Sequence, residues 1–201
     1  MKVLGITGGV GAGKSTVLTY LFEKYHARVI QADQAAHMLQ EPGQACYEEI
    51  RKLFGSGILD EGGAIDRKRL GDIVFGNPER LEQLNRVVHP AVKAYIIEEI
   101  KKERTAGQVP FVVIEAALLL EDHYEEICDE IWYIRTDPSV RKRRLMETRG
   151  YSMERSEAIM KTQLSDALFC EQCHFLVDNS SDFIENTYEQ IDRGLIEHGF
   201  L

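Results

Sequence analysis

The stretch Gly8-Gly9-Val10-Gly11-Ala12-Gly13-Lys14-Ser15 matches G-x-x-x-x-G-K-[ST], a spacing suited to one kind of chemistry, the cradling of nucleotide phosphates. Glycines let successive backbone N–H groups turn inward on phosphate oxygens. A helix starting at the end of the loop adds the partial positive charge of its N-terminus. The motif therefore assigns Gly8, Gly9, Val10, Gly11, Ala12, Gly13, Lys14, Ser15 and Thr16 to the binding of ATP. Lys14 is expected to reach the β- and γ-phosphates, and the Ser15 hydroxyl is placed to ligate Mg²⁺. Chance alone would produce the four fixed positions in about one chain of this length in a hundred.

A phosphate loop serves kinases, GTPases and motor ATPases alike, so other residues must separate them. A GTPase would carry an N-K-x-D stretch for reading the base, and none is present. A kinase of small molecules needs a carboxylate near the transferred phosphoryl group to orient and deprotonate the acceptor, together with arginines that neutralise developing charge. Asp33 is the candidate carboxylate; it could equally cap the helix that follows it. Arg141, Lys142, Arg143, Arg144 and Arg149 concentrate positive charge within nine positions of an acidic chain. Such a run is either a solvated helix face or a lid that closes over the nucleotide and excludes water. The loop, Asp33 and a lid fit any small-molecule or nucleoside-monophosphate kinase of this fold equally well, and a nucleotide-dependent regulatory protein that hydrolyses slowly is the reading from a different class.

These residues need elements to hold them. Val3 to Thr7 is a short apolar run of the buried parallel-strand type. From Lys14, the residues Val17, Leu18, Leu21 and Phe22 share a helical face that ends near Tyr25, and Arg28 to Gln31 reads as a second strand. Strand, glycine turn, helix and strand within about 30 residues make a βαβ unit. Residues 35–105 are mostly helical, punctuated by Pro42-Gly43, the glycines from Gly55 to Gly63, Pro78 and Pro90. That length predicts a helical insertion and not a plain crossover. Phe111–Ile114, Ile131–Ile134 and Phe175–Val177 read as three more strands. Ser139–Thr148 is a basic helix and Ser152–Ala167 a further one with Ser152 as its N-cap. Phe183, Ile184, Tyr188, Ile191, Leu195 and Ile196 recur at helical spacing near the end.

The expected fold is a three-layer α/β/α domain on a five-strand parallel sheet. Its core covers 1–34, 108–138 and 170–201, with a helical acceptor-binding insertion at about 35–105 and a lid at about 139–165. At 201 residues and 44% apolar composition the chain can bury one good core. A net charge of −9 disfavours binding to nucleic acid or anionic membrane. The start of the chain lacks the pattern of a secretory leader, and no apolar run is long enough to span a bilayer. Four cysteines do not make a disulfide framework, which points to the cytoplasm. Cys170-x-x-Cys173 with His174 lacks the further ligands of a metal site and reads as structural. His26, His37, His123 and His198 read as surface or packing residues, and Trp132 as core.

Taken together these residues resemble the dephospho-CoA kinases, relatives of the nucleoside-monophosphate kinases. The resemblance runs from Gly5-Ile6-Thr7 and the phosphate loop through Val29-Ile30-Gln31-Ala32-Asp33, Ile65-Asp66-Arg67-Lys68-Arg69-Leu70, Val74-Phe75 and Val88-His89-Pro90. It continues in Ala117-Leu118-Leu119-Leu120-Glu121, the arginine-rich stretch, Gln163 and Val177-Asp178-Asn179. It implies phosphorylation of the ribose 3′-hydroxyl of dephospho-CoA by MgATP, the end of coenzyme A synthesis. It also implies Asp33 as catalytic base, and Arg67, His89 and Leu118 on the acceptor side. Arg144 and Arg149 would lie in the lid, Arg144 sharing in catalysis with Lys14. The assembly expected is a monomer or small homo-oligomer, with dephospho-CoA as the small-molecule partner. The chain departs from the family pattern at Gln31 and Glu115, where aspartates are usual, and at Arg141, where glutamine is common.

Overall fold

The computed structural model describes residues 1–201 and resolves them into two compact units, Met1–Ile30 with Glu103–Leu201, and Gln31–Lys102. The first unit is organised by a five-stranded parallel sheet of β1 (Lys2–Thr7), β2 (Arg28–Gln31), β3 (Phe111–Glu115), β4 (Glu130–Arg135) and β5 (Phe175–Asp178). The spatial order is β2-β3-β1-β4-β5. From β1 the chain runs out to β2 on one side, returns through β3, and then crosses to β4 and β5 on the other. That reversal falls at β1, and open α/β sheets bind ligands beyond the C-terminal ends of the strands at such a switch point.

Strand alternation sets the core. Leu4, Ile6, Phe111, Val113, Trp132, Ile134 and Val177 point to one face and meet Val17, Leu18 and Leu21 of α1 (Lys14–Tyr25) and Ile191 and Leu195 of α9 (Glu185–Glu197). On the opposite face Tyr133 stacks on Phe169, with centroids 4.5 Å apart, and both faces of the sheet are buried. Phe169 belongs to α8 (Asp166–Gln172), which follows α6 (Pro138–Arg149) and α7 (Met153–Lys161). Trp132 is wholly buried in the core, as expected.

The second unit is helical: α2 (Ala32–Leu39), α3 (Tyr47–Phe54), α4 (Arg67–Val74) and most of α5 (Pro78–Ala106). Asp66 caps α4, its carboxylate accepting from the amides of Lys68 and Arg69. Along α5 the buried residues Val88, Val92, Ile96 and Ile100 recur every fourth position, the spacing of an apolar stripe.

Several sequence expectations are corrected. The predicted helix over 152–167 is two helices: α7 ends at Lys161, and Ser165 caps α8 by accepting from the Leu168 amide. Ser152 caps α7 as expected, accepting from Arg155. Pro90 does not punctuate the insertion; α5 runs through it, giving up only the bond its missing N–H would have made. Asp33 is not an N-cap. That position belongs to Gln31, and Asp33 lies inside the first turn of α2, where a carboxylate complements the helix dipole. Phe22 and Ile196 sit at helical spacing yet are exposed, because the apolar stripe of each helix is narrower than the sequence spacing suggests; Phe183 is exposed because it precedes α9, which begins only at Glu185.

The α1–α9 contact is tied by one carboxylate. Asp192 accepts hydrogen bonds from Tyr20 (2.8 Å), Tyr25 (2.6 Å) and Lys24 (2.7 Å). Its partial burial works against ionisation, but these donors outweigh burial and hold the carboxyl below its ordinary range. A carboxyl depressed in the folded state stabilises the fold at neutral pH, and that contribution is lost as pH falls through the folded value. Replacing Asp192 with Ala should therefore cost about 1–3 kcal/mol at pH 7. Urea unfolding at pH 7 and pH 3 checks this: the gap from the parent should shrink in acid, and an unchanged gap would show that charge is not its source.

Candidate active site

The phosphate loop leaves β1 at Thr7 and ends where α1 begins at Lys14. Gly8 has φ +149° and its Cα approaches β4 so closely that a Cβ would lie 2.5 Å from the Ile134 carbonyl oxygen. Gly13, in the left-handed region, is the N-cap of α1. It brings no side chain to the helix end, and the first turn of α1 carries no acid. The leading amides of an α-helix lack intrahelical acceptors; here the Thr16 amide reaches Gly13 O, and the N-cap supplies no side-chain acceptor.

The carbonyls of the loop are held by donors from several elements. Gly8 O accepts from Lys14 Nζ at 2.7 Å, and Gly9 O from the Ala12 amide at 3.1 Å. Val10 O accepts from Arg141 Nε at 3.1 Å. Ala12 O accepts from Thr136 Oγ1 at 3.0 Å and from Asn179 Nδ2 at 2.7 Å. Gly13 O accepts from the Thr16 amide in α1. Asn179 is itself oriented by Thr187, whose hydroxyl donates to its Oδ1 at 2.8 Å.

Lys14 Nζ also lies 3.5 Å from the Glu115 carboxylate, both side chains being largely buried. Glu115 ends β3, paired in register with Ile6, so it stands beside the entry to the loop. Ser15 and Thr16 are exposed on the first turn of α1. Arg144 is half-buried on α6, while Arg149, the last residue of that helix, is exposed. Leu118 is exposed beyond β3. Within the helical unit, Asp33 is exposed in the first turn of α2, Arg67 pairs with Glu41 at 3.8 Å, and His89 is half-buried on α5. The sheet unit thus brings together the loop, Glu115, Thr136, Arg141, Gln163 and Asn179. Asp33, Arg67 and His89 belong to the other unit.

Three of the residues that shape the loop escape the sequence motif. Thr136 and Asn179 follow the ends of β4 and β5, and Thr187 lies on α9. Arg141 is counted with the surface-charge run, yet it is buried. A signal for it exists in the spacing: Arg141 and Leu145 are four apart and share the buried face of α6, unlike Arg143, Met146 and Arg149.

A five-stranded parallel sheet with a glycine loop at its switch point, a lysine at the loop's end and carbonyls turned aside defines the P-loop kinases. A family model for dephospho-CoA kinase matches residues 2–185, and the chain belongs to that family. A dephospho-CoA kinase of Symbiobacterium thermophilum is 36% identical over 192 residues, covering 96% of this chain and 79% of the relative. A crystal structure from Thermus thermophilus superposes with TM-score 0.82 at 28% identity, covering 98% of this chain and 97% of that one. The dephospho-CoA kinase from Campylobacter jejuni does so with TM-score 0.73 at 25% identity over the whole of both chains. No helix is long and apolar enough to cross a membrane.

The close approach at Gly8 gives a direct test. Gly8→Ala should weaken nucleotide binding by about ten- to a hundredfold, the scale of a strained backbone position. Titration with a fluorescent ATP analogue measures it. Affinity equal to the parent's would mean that the loop does not need this geometry.

Proposed function

We propose that this chain transfers the γ-phosphoryl group of ATP to the ribose 3′-hydroxyl of dephospho-CoA, giving coenzyme A and ADP. The observation that carries the reading is a phosphate loop with its carbonyls engaged by protein donors, on a chain of the dephospho-CoA kinase family. The transfer is direct and in line, without a covalent enzyme intermediate, so the protein's work is positioning and charge stabilisation.

In this reading the loop amides that do not donate within the protein bind the β- and γ-phosphates, and Lys14 adds a cation at their side. The protein offers no cluster of three or more metal-binding side chains. What it offers is the exposed Ser15 hydroxyl on the first turn of α1, which fits a hard cation that keeps several waters and is shared with substrate phosphates. Mg²⁺ bound there would supply neutralisation of phosphate charge. Asp33 accepts the proton of the acceptor hydroxyl as it attacks, and Arg144 and Arg149 neutralise charge that builds on the equatorial oxygens. Arg67, His89 and Leu118 hold the acceptor. Dephospho-CoA enters from the cytoplasm, and neither nucleic acid nor membrane takes part; the working form is a monomer or small homo-oligomer.

The test is ADP release from MgATP with dephospho-CoA, nucleosides, nucleoside monophosphates and sugars offered separately, the product being weighed by mass spectrometry. One added phosphate on dephospho-CoA, with little turnover elsewhere, is the expected result; turnover only on another acceptor would overturn the substrate. Asp33→Asn should lower kcat by about 10²- to 10⁴-fold, the usual worth of a general base, with ATP affinity kept within a few-fold. Unchanged turnover in that variant would remove Asp33 from the role.

A further inference from the structure

Arg141 is buried to 7% exposure, yet no carboxylate lies within ion-pair distance of it. Its hydrogen bonds go to two neutral oxygens, Val10 O in the phosphate loop and Gln163 Oε1 between α7 and α8. The same Gln163 oxygen accepts from the Val10 amide at 3.2 Å, so the two side chains grip both the N–H and the C=O of Val10. The guanidinium also lies directly on Gly9, where any Cβ would collide with its Cζ and amino groups. Burial of the guanidinium favours its neutral form and outweighs the Coulombic pull of Tyr133 and of Asp166, a carboxylate beyond ion-pair distance. A buried cation whose hydrogen-bond partners are all neutral is expensive to keep, and replacing such a group by an apolar side chain of similar size often leaves a fold as stable or more so. Its place against the backbone of an anion-binding loop suggests what offsets that cost.

We propose that Arg141, with Gln163, is a positioning residue for the nucleotide: it fixes the Val10 peptide and sets against the phosphate loop a positive charge that no ion pair neutralises, and bound polyphosphate supplies the counter-charge. The inference rests on the reading of the loop as an ATP site but not on the identity of the acceptor. It predicts opposite signs for stability and affinity, an outcome that a purely structural role does not give. It also predicts that the loss scales with nucleotide charge, because the term is partly Coulombic.

The experiment compares the parent protein with Arg141→Met, Arg141→Gln and Arg141→Lys. Affinities for ATP, ADP and AMP are measured by calorimetry, and urea midpoints are measured without nucleotide. Arg141→Met should weaken ATP by about ten- to a hundredfold, the range of a lost charge-assisted hydrogen bond. ADP should be weakened less and AMP least, while the nucleotide-free midpoint stays level or rises and the KM for the acceptor is unmoved. Arg141→Lys, which keeps the charge and loses the fork, should recover part of the ATP affinity. Arg141→Gln can still donate to Val10 O and decides the matter should the methionine variant fail to fold. An equal loss for all three nucleotides alongside a lower midpoint would reduce Arg141 to a structural strut, and unchanged ATP affinity would overturn the proposal outright. A parent that binds ATP but leaves dephospho-CoA untouched would count against the proposed acceptor alone.

Discussion

A site that binds anions through its backbone must solve a problem that its own chemistry creates. Every peptide that turns an N–H toward phosphate carries a carbonyl, and a carbonyl facing the ligand repels it, while one buried without a donor costs about 1–3 kcal/mol. In this chain the carbonyls of Gly8, Gly9, Val10, Ala12 and Gly13 each accept a hydrogen bond from the protein. The glycines make the turn feasible, but these donors determine which way its peptides point.

The rest of the sheet unit follows from delivering those donors. Thr136 and Asn179 can converge on Ala12 only because β4 and β5 are adjacent, with Arg135 opposite Asp178 in the register. Arg135 reinforces that convergence: it binds Asp178 at 3.1 Å, Asp137 at 2.5 Å and Asp166 at 3.5 Å, joining the end of β5 to the starts of α6 and α8. Burial alone would push the Asp178 carboxyl upward; hydrogen bonds from Ser180 and the charge of Arg135 more than offset it and hold it low. Tyr133 adds a hydrogen bond to Asp166 at 2.8 Å. The helix that carries Arg141 and the helix that follows Gln163 are anchored at the strand ends that carry Thr136 and Asn179.

What the sequence made legible was what repeats or has a fixed spacing. The five strands are apolar runs, the phosphate loop is a motif, and β2 and α1 fall where periodicity puts them. The break between α7 and α8 was hidden because Ser165 looks like any polar residue on a helix face until its hydroxyl is seen accepting the Leu168 amide. Pro90 misled for the opposite reason, since one lost backbone bond is a small charge against a 29-residue helix. Arg141 was hardest to read, because a charged residue in a charged run looks solvated, and only its phase with Leu145 marks it as facing inward. Long-range donors such as Asn179, 167 residues from its acceptor, have no periodicity to mark them, and Asn179 stands out in the sequence only through the resemblance.

The strands share one further regularity, and it explains why function gathers at one end of the sheet. In β1 the buried apolar residues Val3, Leu4 and Ile6 give way to Thr7 and the loop, and in β3 Val112 to Ile114 give way to Glu115. In β4 the run Ile131 to Ile134 ends in Arg135 and Thr136, and in β5 Val177 is followed by Asp178 and Asn179. All four change from apolar to polar at their C-terminal ends, and parallel pairing brings those ends to a common level. An antiparallel sheet with the same strands would scatter these polar residues between its two edges. Here the apolar lengths hold the strands in register by burial, at about 25 cal/mol per Å² of apolar surface. Polar ends in one stack then place the donors for the phosphate loop beside one another.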